Sequence, residues 1–171
     1  MNGAIFYSGK YGSTKQYAEW ISEATALPVF DINKDNTDLT KFDFLVLGSS
    51  VLYFKLSNRH WVKKNFAKLN GRVKILFSVS GAGPSERLNT WVSNSYPVEL
   101  LSQVEHIGLR GKLDHSKISW PVKLMLWIGS LFNSNREASK DERYGFDYMD
   151  KSSIEPIVKR IKELQAEKQL A

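Results

Sequence analysis

Ser8-Gly9-Lys10-Tyr11-Gly12-Ser13-Thr14 separates a short apolar run at residues 3–7 from a helical pattern that starts at Thr14. Such a loop is suited to hold a phosphate, because the first amides of a helix lack intrahelical partners and the helix dipole is positive there. Its glycines allow a tight turn and close approach to an anion. The spacing is neither G-x-x-x-x-G-K-[ST] nor G-x-G-x-x-G, so the common ATP and dinucleotide fingerprints are absent. Taken alone, the loop also fits an ordinary strand-to-helix turn with a Ser or Thr cap.

Apolar runs and helical patterns alternate along the rest of the chain. Strands are predicted at residues 3–7, 28–32, 43–49, 74–80 and 104–109. Helices are predicted at residues 14–26, 58–69, 85–103 with a break near Pro97, and 152–168. This alternation predicts an α/β fold with a parallel sheet and right-handed crossovers, formed by a single domain over residues 1–171.

Three turns are predicted at the carboxyl ends of these strands. They cover residues 8–14, 49–57 and 80–84, and all three are rich in Ser, Gly or aromatic residues. Ligands of open parallel sheets bind beyond the carboxyl ends of the strands, at the point where the strand order reverses. Together the three turns therefore predict a binding site at this edge of the sheet.

Composition excludes several classes of chemistry. The chain contains no cysteine, which excludes disulfides and thiol catalysis, and its three histidines are scattered rather than placed at metal-ligand spacing. We therefore expect no metal site, and no catalytic acid or base can be identified. The net charge is +6, but no polybasic block or nucleic-acid motif accompanies it, so no nucleic-acid partner is expected. The amino terminus enters the first strand without a leader pattern, which favours a cytoplasmic location.

With these residues considered together, the chain resembles flavodoxins over nearly its full length. The resemblance implies a three-layer sandwich with a five-stranded parallel sheet in the order 2-1-3-4-5 and helices on both faces. It also implies FMN as the cofactor. Gly12 and Thr14 fit the T-G-x-T end of the flavodoxin phosphate loop, whereas Gly9 and Tyr11 stand where hydroxyl residues are usual. The phosphate contacts that the resemblance implies are Ser8, Gly9, Lys10, Tyr11, Gly12, Ser13 and Thr14.

The other two turns resemble the flavodoxin loops that contact the isoalloxazine ring. In the second turn, the contacts implied are Ser50, Val51, Leu52, Tyr53 and Phe54, with one of the two aromatic rings stacked on the flavin. The alternative is that both aromatic residues pack in the core or a lid. In the third turn, the contacts implied are Ser80, Gly81, Ala82 and Gly83, and a plain Gly-Pro turn is the alternative.

About forty residues, 111–150, are inserted between the fifth strand and the last helix. This insertion resembles the menaquinone-dependent protoporphyrinogen oxidase branch of the flavodoxin-like proteins. Residues 118–132 within it are largely apolar, with Lys123 as their only charge, and they are too few to span a bilayer. Two alternatives follow: a helix packed against the edge of the sheet, or an interfacial helix in peripheral contact with the inner face of the membrane.

Three functions fit these features. The first is an FMN-dependent oxidoreductase that passes electrons to a quinone or another carrier, similar to protoporphyrinogen oxidase. The second is an electron shuttle to a redox protein, although the resemblance implies that such shuttles are usually acidic and this chain is basic. The third is a flavin-free binding domain on the same fold. The sequence carries no information on the oligomeric state.

Overall fold

A parallel sheet forms the centre of the computed structural model, which describes residues 1–132, 140–141 and 144–167. Its strands are β1 (Gly3–Ser8), β2 (Val29–Asp31), β3 (Phe44–Leu52), β5 (Val73–Ser80) and β6 (Glu105–Arg110), in the spatial order β2-β1-β3-β5-β6. All four pairings along this path are parallel. The predicted α/β class and the predicted strand order 2-1-3-4-5 are both confirmed.

Helices cover both faces of the sheet. One face carries α1 (Ser13–Thr25) and α6 (Glu155–Ala166), and the other carries α2 (Arg59–Leu69), α3 (Glu86–Ser93) and α4 (Val98–Leu101), whereas α5 (Trp120–Phe132) belongs to the insertion. Short 3-10 turns occupy residues 39–41, 115–117 and 151–154. None of the helices within the described residues is long and apolar enough to cross a bilayer.

Alternate side chains of each strand enter two separate cores. In β1, Ile5 packs with α1 and α6, whereas Phe6 packs with α2 and α3. Successive side chains of a strand point to opposite faces, so continuous apolar runs are required where both faces are covered. The all-buried pattern of β1 therefore follows from its position inside the sheet.

The helix boundaries follow local sequence rules. Pro97 divides the predicted helix at 85–103 into α3 and α4, because proline lacks the amide proton that a continuing helix requires. Ser85 caps α3 by accepting a hydrogen bond from the amide of Leu88 at 3.2 Å. The last helix begins at Glu155 rather than Ser152, after the 3-10 turn at 151–154.

Two short antiparallel pairings were not predicted. Strand β3 continues past Ser49 to Leu52 and turns back as β4 (Lys55–Leu56). Strands β7 (Lys112–Leu113) and β8 (Phe146–Asp147) bring the two ends of the insertion together. Both pairings lie at the carboxyl edge of the sheet, where they shape the candidate site.

Candidate functional site

A cleft of about 210 Å³ opens at the carboxyl ends of β1, β3 and β5. One wall comes from the three predicted turns and the other from the insertion. The residues lining the cleft are Tyr11, Ser13, Thr14, Ser50, Val51, Leu52, Tyr53, Val79, Ser80, Gly81, Gly111, Lys112, Leu113, Ile118, Val122 and Phe146. Hydroxyl groups and apolar side chains thus face one another across the cleft.

The first turn leaves the amino end of α1 available to an anion. Gly12 precedes the helix with φ of 98°, no side chain caps it, and the first turn of α1 contains no acidic residue. A positive φ of this size strains any residue with a side chain. Gly9 is required for another reason, since a Cβ there would lie 2.8 Å from the Thr14 hydroxyl oxygen. The backbone amides therefore border an open space that suits a phosphate.

Two hydroxyl groups of the cleft are buried without a partner. Thr14 is 1% exposed and Ser80 is 8% exposed, and neither hydroxyl oxygen has a hydrogen-bond partner among the described residues. An unsatisfied buried hydroxyl costs about 1–3 kcal/mol. Thr14 belongs to the first turn and Ser80 to the end of β5, so both ends of the cleft have polar groups that a ligand could satisfy.

The second turn is a strained hairpin. Leu52 pairs with Lys55, which leaves Tyr53 and Phe54 as a two-residue connection with φ values of 50° and 62°. Positive φ at both positions is the pattern of a type I′ turn, which normally selects Asn-Gly. Here two aromatic residues occupy it, and they are 63% and 70% exposed. Strain kept at an exposed position is a reason to look for function there.

A network of serine hydroxyls joins the first turn to the second. Ser57 donates a hydrogen bond to the carbonyl of Ser8 at 3.1 Å. Ser50 donates to the Ser57 hydroxyl at 3.2 Å, and the Ser49 hydroxyl lies 3.2 Å from the same oxygen. The network fixes the carboxyl ends of β1 and β3 relative to one another.

Asn58 and Tyr96 extend this network through further hydrogen bonds. The buried Tyr96 hydroxyl donates a short hydrogen bond to the side-chain oxygen of Asn58. Burial raises the pKa of Tyr96 well above its usual value, so the phenol stays a neutral donor. The backbone amide of Asn58 donates in turn to the Ser49 hydroxyl at 3.4 Å, so buried hydrogen bonds hold the base of the second turn in place.

The third turn is in close contact with residues that flank or belong to the insertion. A Cβ on Gly81 would lie 2.6 Å from the Phe146 ring, and one on Gly83 would lie 2.8 Å from the Arg110 side chain. The Arg110 guanidinium lies 3.7 Å from the centre of the Tyr148 ring. Small residues are therefore needed in this turn for the insertion to pack against it.

An ion pair joins the two ends of the insertion. Lys112 contacts Asp147 at 2.7 Å across the β7–β8 pairing. Their hydrogen bond raises the pKa of Lys112 and lowers the pKa of Asp147, so each charge is favoured by the other. The Tyr17 hydroxyl adds a second attachment, since it donates to the Arg110 carbonyl at 2.8 Å and accepts from the Asp150 amide at 3.1 Å.

Not every residue implied by the resemblance lines the cleft. Those that do are Tyr11, Ser13, Thr14, Ser50, Val51, Leu52, Tyr53, Ser80 and Gly81. The others lie beside it in the same three turns: Ser8, Gly9, Lys10, Gly12, Phe54, Ala82 and Gly83. Ser8 accepts a hydrogen bond from the Asn33 side chain at 3.4 Å, and Phe54 packs on Trp91 with ring centres 5.5 Å apart.

Comparison with known proteins identifies the family. A family model described as "Flavodoxin domain" matches residues 4–142. The chain belongs to the flavodoxin domain family. No curated protein matches its sequence. Among the described residues of this flavodoxin domain, no group of three His, Cys, Asp or Glu side chains is placed to hold a metal ion.

Two solved structures are similar to this flavodoxin domain. A flavodoxin from the domain Archaea has 15% sequence identity and a TM-score of 0.45, with 95% of this chain and 99% of that chain covered. A flavodoxin, WrbA-like protein from Agrobacterium tumefaciens has 19% identity and a TM-score of 0.43, with 61% of this chain and 73% of that chain covered.

Sequence reasoning missed the insertion's share of the cleft of this flavodoxin domain. Five residues of the insertion line the cleft together with the predicted turns but were not assigned to the site from the sequence: Lys112, Leu113, Ile118, Val122 and Phe146. Ser57 was also missed, although it lies within the predicted turn 49–57. Apolar residues in an insertion carry no sequence pattern that tells a cleft wall from a core.

Proposed function

We propose that this protein binds FMN in the cleft and transfers electrons through it. The observation that carries the proposal is the pair of buried hydroxyls on Thr14 and Ser80, which line one cleft and have no hydrogen-bond partner in the described part of the chain. Groups of this kind are retained when a ligand satisfies them. Membership of the flavodoxin domain family supports a flavin as that ligand.

The chain's own groups fit the two ends of FMN. The Thr14 hydroxyl and the first amides of α1 would donate hydrogen bonds to the phosphate, and the helix dipole would stabilise its charge. The Ser80 hydroxyl would bond the polar edge of the ring system. The bound flavin would supply the redox chemistry, while the protein supplies position and electrostatics.

The cleft must widen to accept the whole cofactor. Its volume of about 210 Å³ lies below the roughly 300–1,000 Å³ that is usual for ligand pockets. The Tyr53–Phe54 turn is the exposed part of its boundary. Tyr53 already lines the cleft, so its ring would lie against the flavin in the widened cleft.

FMN titration of Thr14→Val tests the proposal. The substitution removes a hydrogen bond to a charged group, so the affinity for FMN should fall about tenfold or more. In the ligand-free protein it removes an unsatisfied buried hydroxyl, so the free energy of unfolding should stay the same or rise. Thr90→Val is the matched control, because that hydroxyl is exposed and donates to the Glu86 carbonyl in its own helix at 3.0 Å.

This function would be contradicted if the protein is colourless as purified and does not respond to added FMN. In that case neither the flavin fluorescence nor the melting temperature would change on addition of FMN. The third hypothesis, a flavin-free binding domain on the same fold, would then be favoured. Equal FMN affinity of Thr14→Val and the parent protein would contradict the assigned role of Thr14.

For the reaction, we propose a quinone-dependent oxidoreductase that takes electrons from a reduced donor similar to protoporphyrinogen. The resemblance of the insertion at 111–150 supports this, as does its contribution of Val122 and Phe146 to the cleft wall. Quinone-dependent turnover with protoporphyrinogen is the test. Absence of turnover, with fast reduction by a flavodoxin reductase, would instead favour the electron shuttle.

A further inference from the structure

Helix α5 closes the cleft with one side and exposes large apolar side chains on the opposite side. Val122 lines the cleft, and Ile118, just before the helix, is 5% exposed. The outer face carries Trp120, Leu124, Trp127 and Ile128, which are 73%, 45%, 49% and 44% exposed. Their spacing of three and four residues places them on a single face, and Val122 lies about half a turn away.

A helix that is apolar all round is normally buried on all sides or in contact with lipid. The inner side of α5 meets this condition at the cleft, whereas the four side chains of the outer face are 44% to 73% exposed to solvent. Four large apolar side chains on one face form a contiguous patch, and such patches mark sites of interaction with a membrane or another protein.

The charges around α5 distinguish between these partners. Residues 110–132 contain four basic residues and one acidic residue, within a chain of net charge +6. Lys123 is exposed and lies beside Trp120 on the helix surface. A lysine at the border of an apolar face can keep its stem in an apolar phase and its ammonium at the level of anionic headgroups. Tryptophan is likewise enriched at this boundary.

We propose that the outer face of α5, formed by Trp120, Leu124, Trp127 and Ile128, docks into the interfacial region of an anionic phospholipid membrane. The helix lies parallel to the surface, and Lys123 contacts the headgroups. The same helix would then hold the mouth of the cleft beside the membrane, where lipid-soluble redox partners are found. The docking surface itself does not rest on the proposed flavin function, because it needs only the exposed face.

Sedimentation of the full chain with vesicles tests the proposal, with and without FMN. Vesicles of phosphatidylcholine are compared with vesicles that also contain phosphatidylglycerol. Binding is expected to the anionic vesicles and to weaken as salt is added. Trp120→Ala combined with Leu124→Ala should weaken it about tenfold or more, because two large apolar side chains no longer enter the interface.

Two matched controls use exposed residues on other helices, Val98 on α4 and Lys63 on α2. Val98→Ala removes a side chain that is 75% exposed on α4, which precedes the amino end of β6, whereas α5 follows its carboxyl end, so the substitution should leave binding unchanged. Lys123→Glu should weaken binding more than Lys63→Glu, although both change the net charge equally. A shift of tryptophan fluorescence to shorter wavelength on adding anionic vesicles, lost in the double variant, would further support the proposal.

Three results would overturn the docking surface. They are absence of binding to anionic vesicles at low salt, equal binding by the double variant, and a self-association that Trp120→Ala abolishes without any vesicle binding. The last would assign the face to a second copy of the chain. None of these results depends on whether FMN binds, so failure of this proposal and failure of the flavin site remain distinguishable.

Discussion

The backbone amide of Lys112 donates a hydrogen bond to the Ser13 hydroxyl at 3.1 Å. Ser13 is the first residue of α1, and Lys112 is the first residue of β7 in the insertion, so the contact joins residues separated by almost one hundred positions. Ser13 of the candidate phosphate loop thereby holds the insertion, which forms the opposite wall of the cleft. Substitutions in the loop should therefore change the stability of the insertion.

Ser13→Ala is expected to release this end of the insertion. The amide of Lys112 would lose its partner, so its hydrogen exchange should become faster, and the free energy of unfolding should fall by about 0.5–1.5 kcal/mol. Ser22→Ala is the control, since Ser22 lies on the same helix and bonds the Leu27 carbonyl at 2.7 Å. Unchanged exchange at Lys112 in Ser13→Ala would show that the contact does not hold the insertion.

Gly12→Ala should strain the loop without a steric clash. A Cβ at Gly12 would meet nothing within 4 Å, so the expected loss of about 1–2 kcal/mol comes from φ of 98° alone. Gly71 offers the same test away from the cleft, with φ of 78° and open space around it. Both variants should lose similar stability in urea unfolding, but only Gly12→Ala should weaken FMN binding. Equal FMN affinity of the two variants would show that Gly12 is not part of the binding site.

Replacing Tyr53 and Phe54 by Asn and Gly should stabilise the ligand-free protein. The hairpin would receive the residues that its positive φ values favour, and about 1 kcal/mol of strain or more would be relieved. The melting temperature should therefore rise, whereas FMN affinity should fall because the aromatic contact is lost. A variant that is less stable than the parent protein would mean that the two rings contribute packing rather than strain.

The free energy of unfolding should decrease as the pH falls below about 6.5, with His106 as one cause. Half-buried, this residue has a pKa held below its usual value of 6.5 by desolvation, and its ring lies 2.8 Å from the Ser78 hydroxyl. Since the unfolded chain takes up the proton at a higher pH than the folded chain does, acid favours unfolding. Urea unfolding at pH 7 and pH 5 measures this effect.

The His106→Gln variant serves to assign that pH dependence. Glutamine keeps a group able to bond Ser78 but does not titrate, so the difference in stability between pH 7 and pH 5 should become smaller. His60→Gln, on the surface of α2, is the control. An identical pH dependence in the parent protein and in His106→Gln would contradict the assignment.

Most of the fold could be predicted because its patterns are local. The apolar run around Val46 required a strand buried on both faces, and the helical stripe that includes Ile157 and Ile161 required one buried side. Pro97 marked a helix break that the structure confirms. The β3–β4 hairpin escaped prediction because Tyr53 and Phe54 are not the residues that a type I′ turn normally selects.

Of the two walls of the candidate site, only the one formed by the three turns could be predicted. The turns at 8–14, 49–57 and 80–84 follow strands, and parallel strands bring their carboxyl ends to one edge, so the position of these turns could be inferred. The opposite wall depends on where the insertion folds. Val122 and Phe146 reach the cleft through the β7–β8 pairing and the Lys112–Asp147 ion pair, which join positions far apart in the chain.

By itself the sequence determined the strand and helix alternation, the strand order that the flavodoxin resemblance implies, and the three turns that meet at one edge. The alternation and the turns depend on short-range periodicity and on single residues such as Gly12 and Pro97, whereas the strand order comes from the family resemblance. Only the tertiary structure decided that the Thr14 and Ser80 hydroxyls are buried without partners among the residues it describes, and that α5 lines the cleft while exposing Trp120. Burial and exposure depend on contacts between distant segments, and these form only when the whole chain packs.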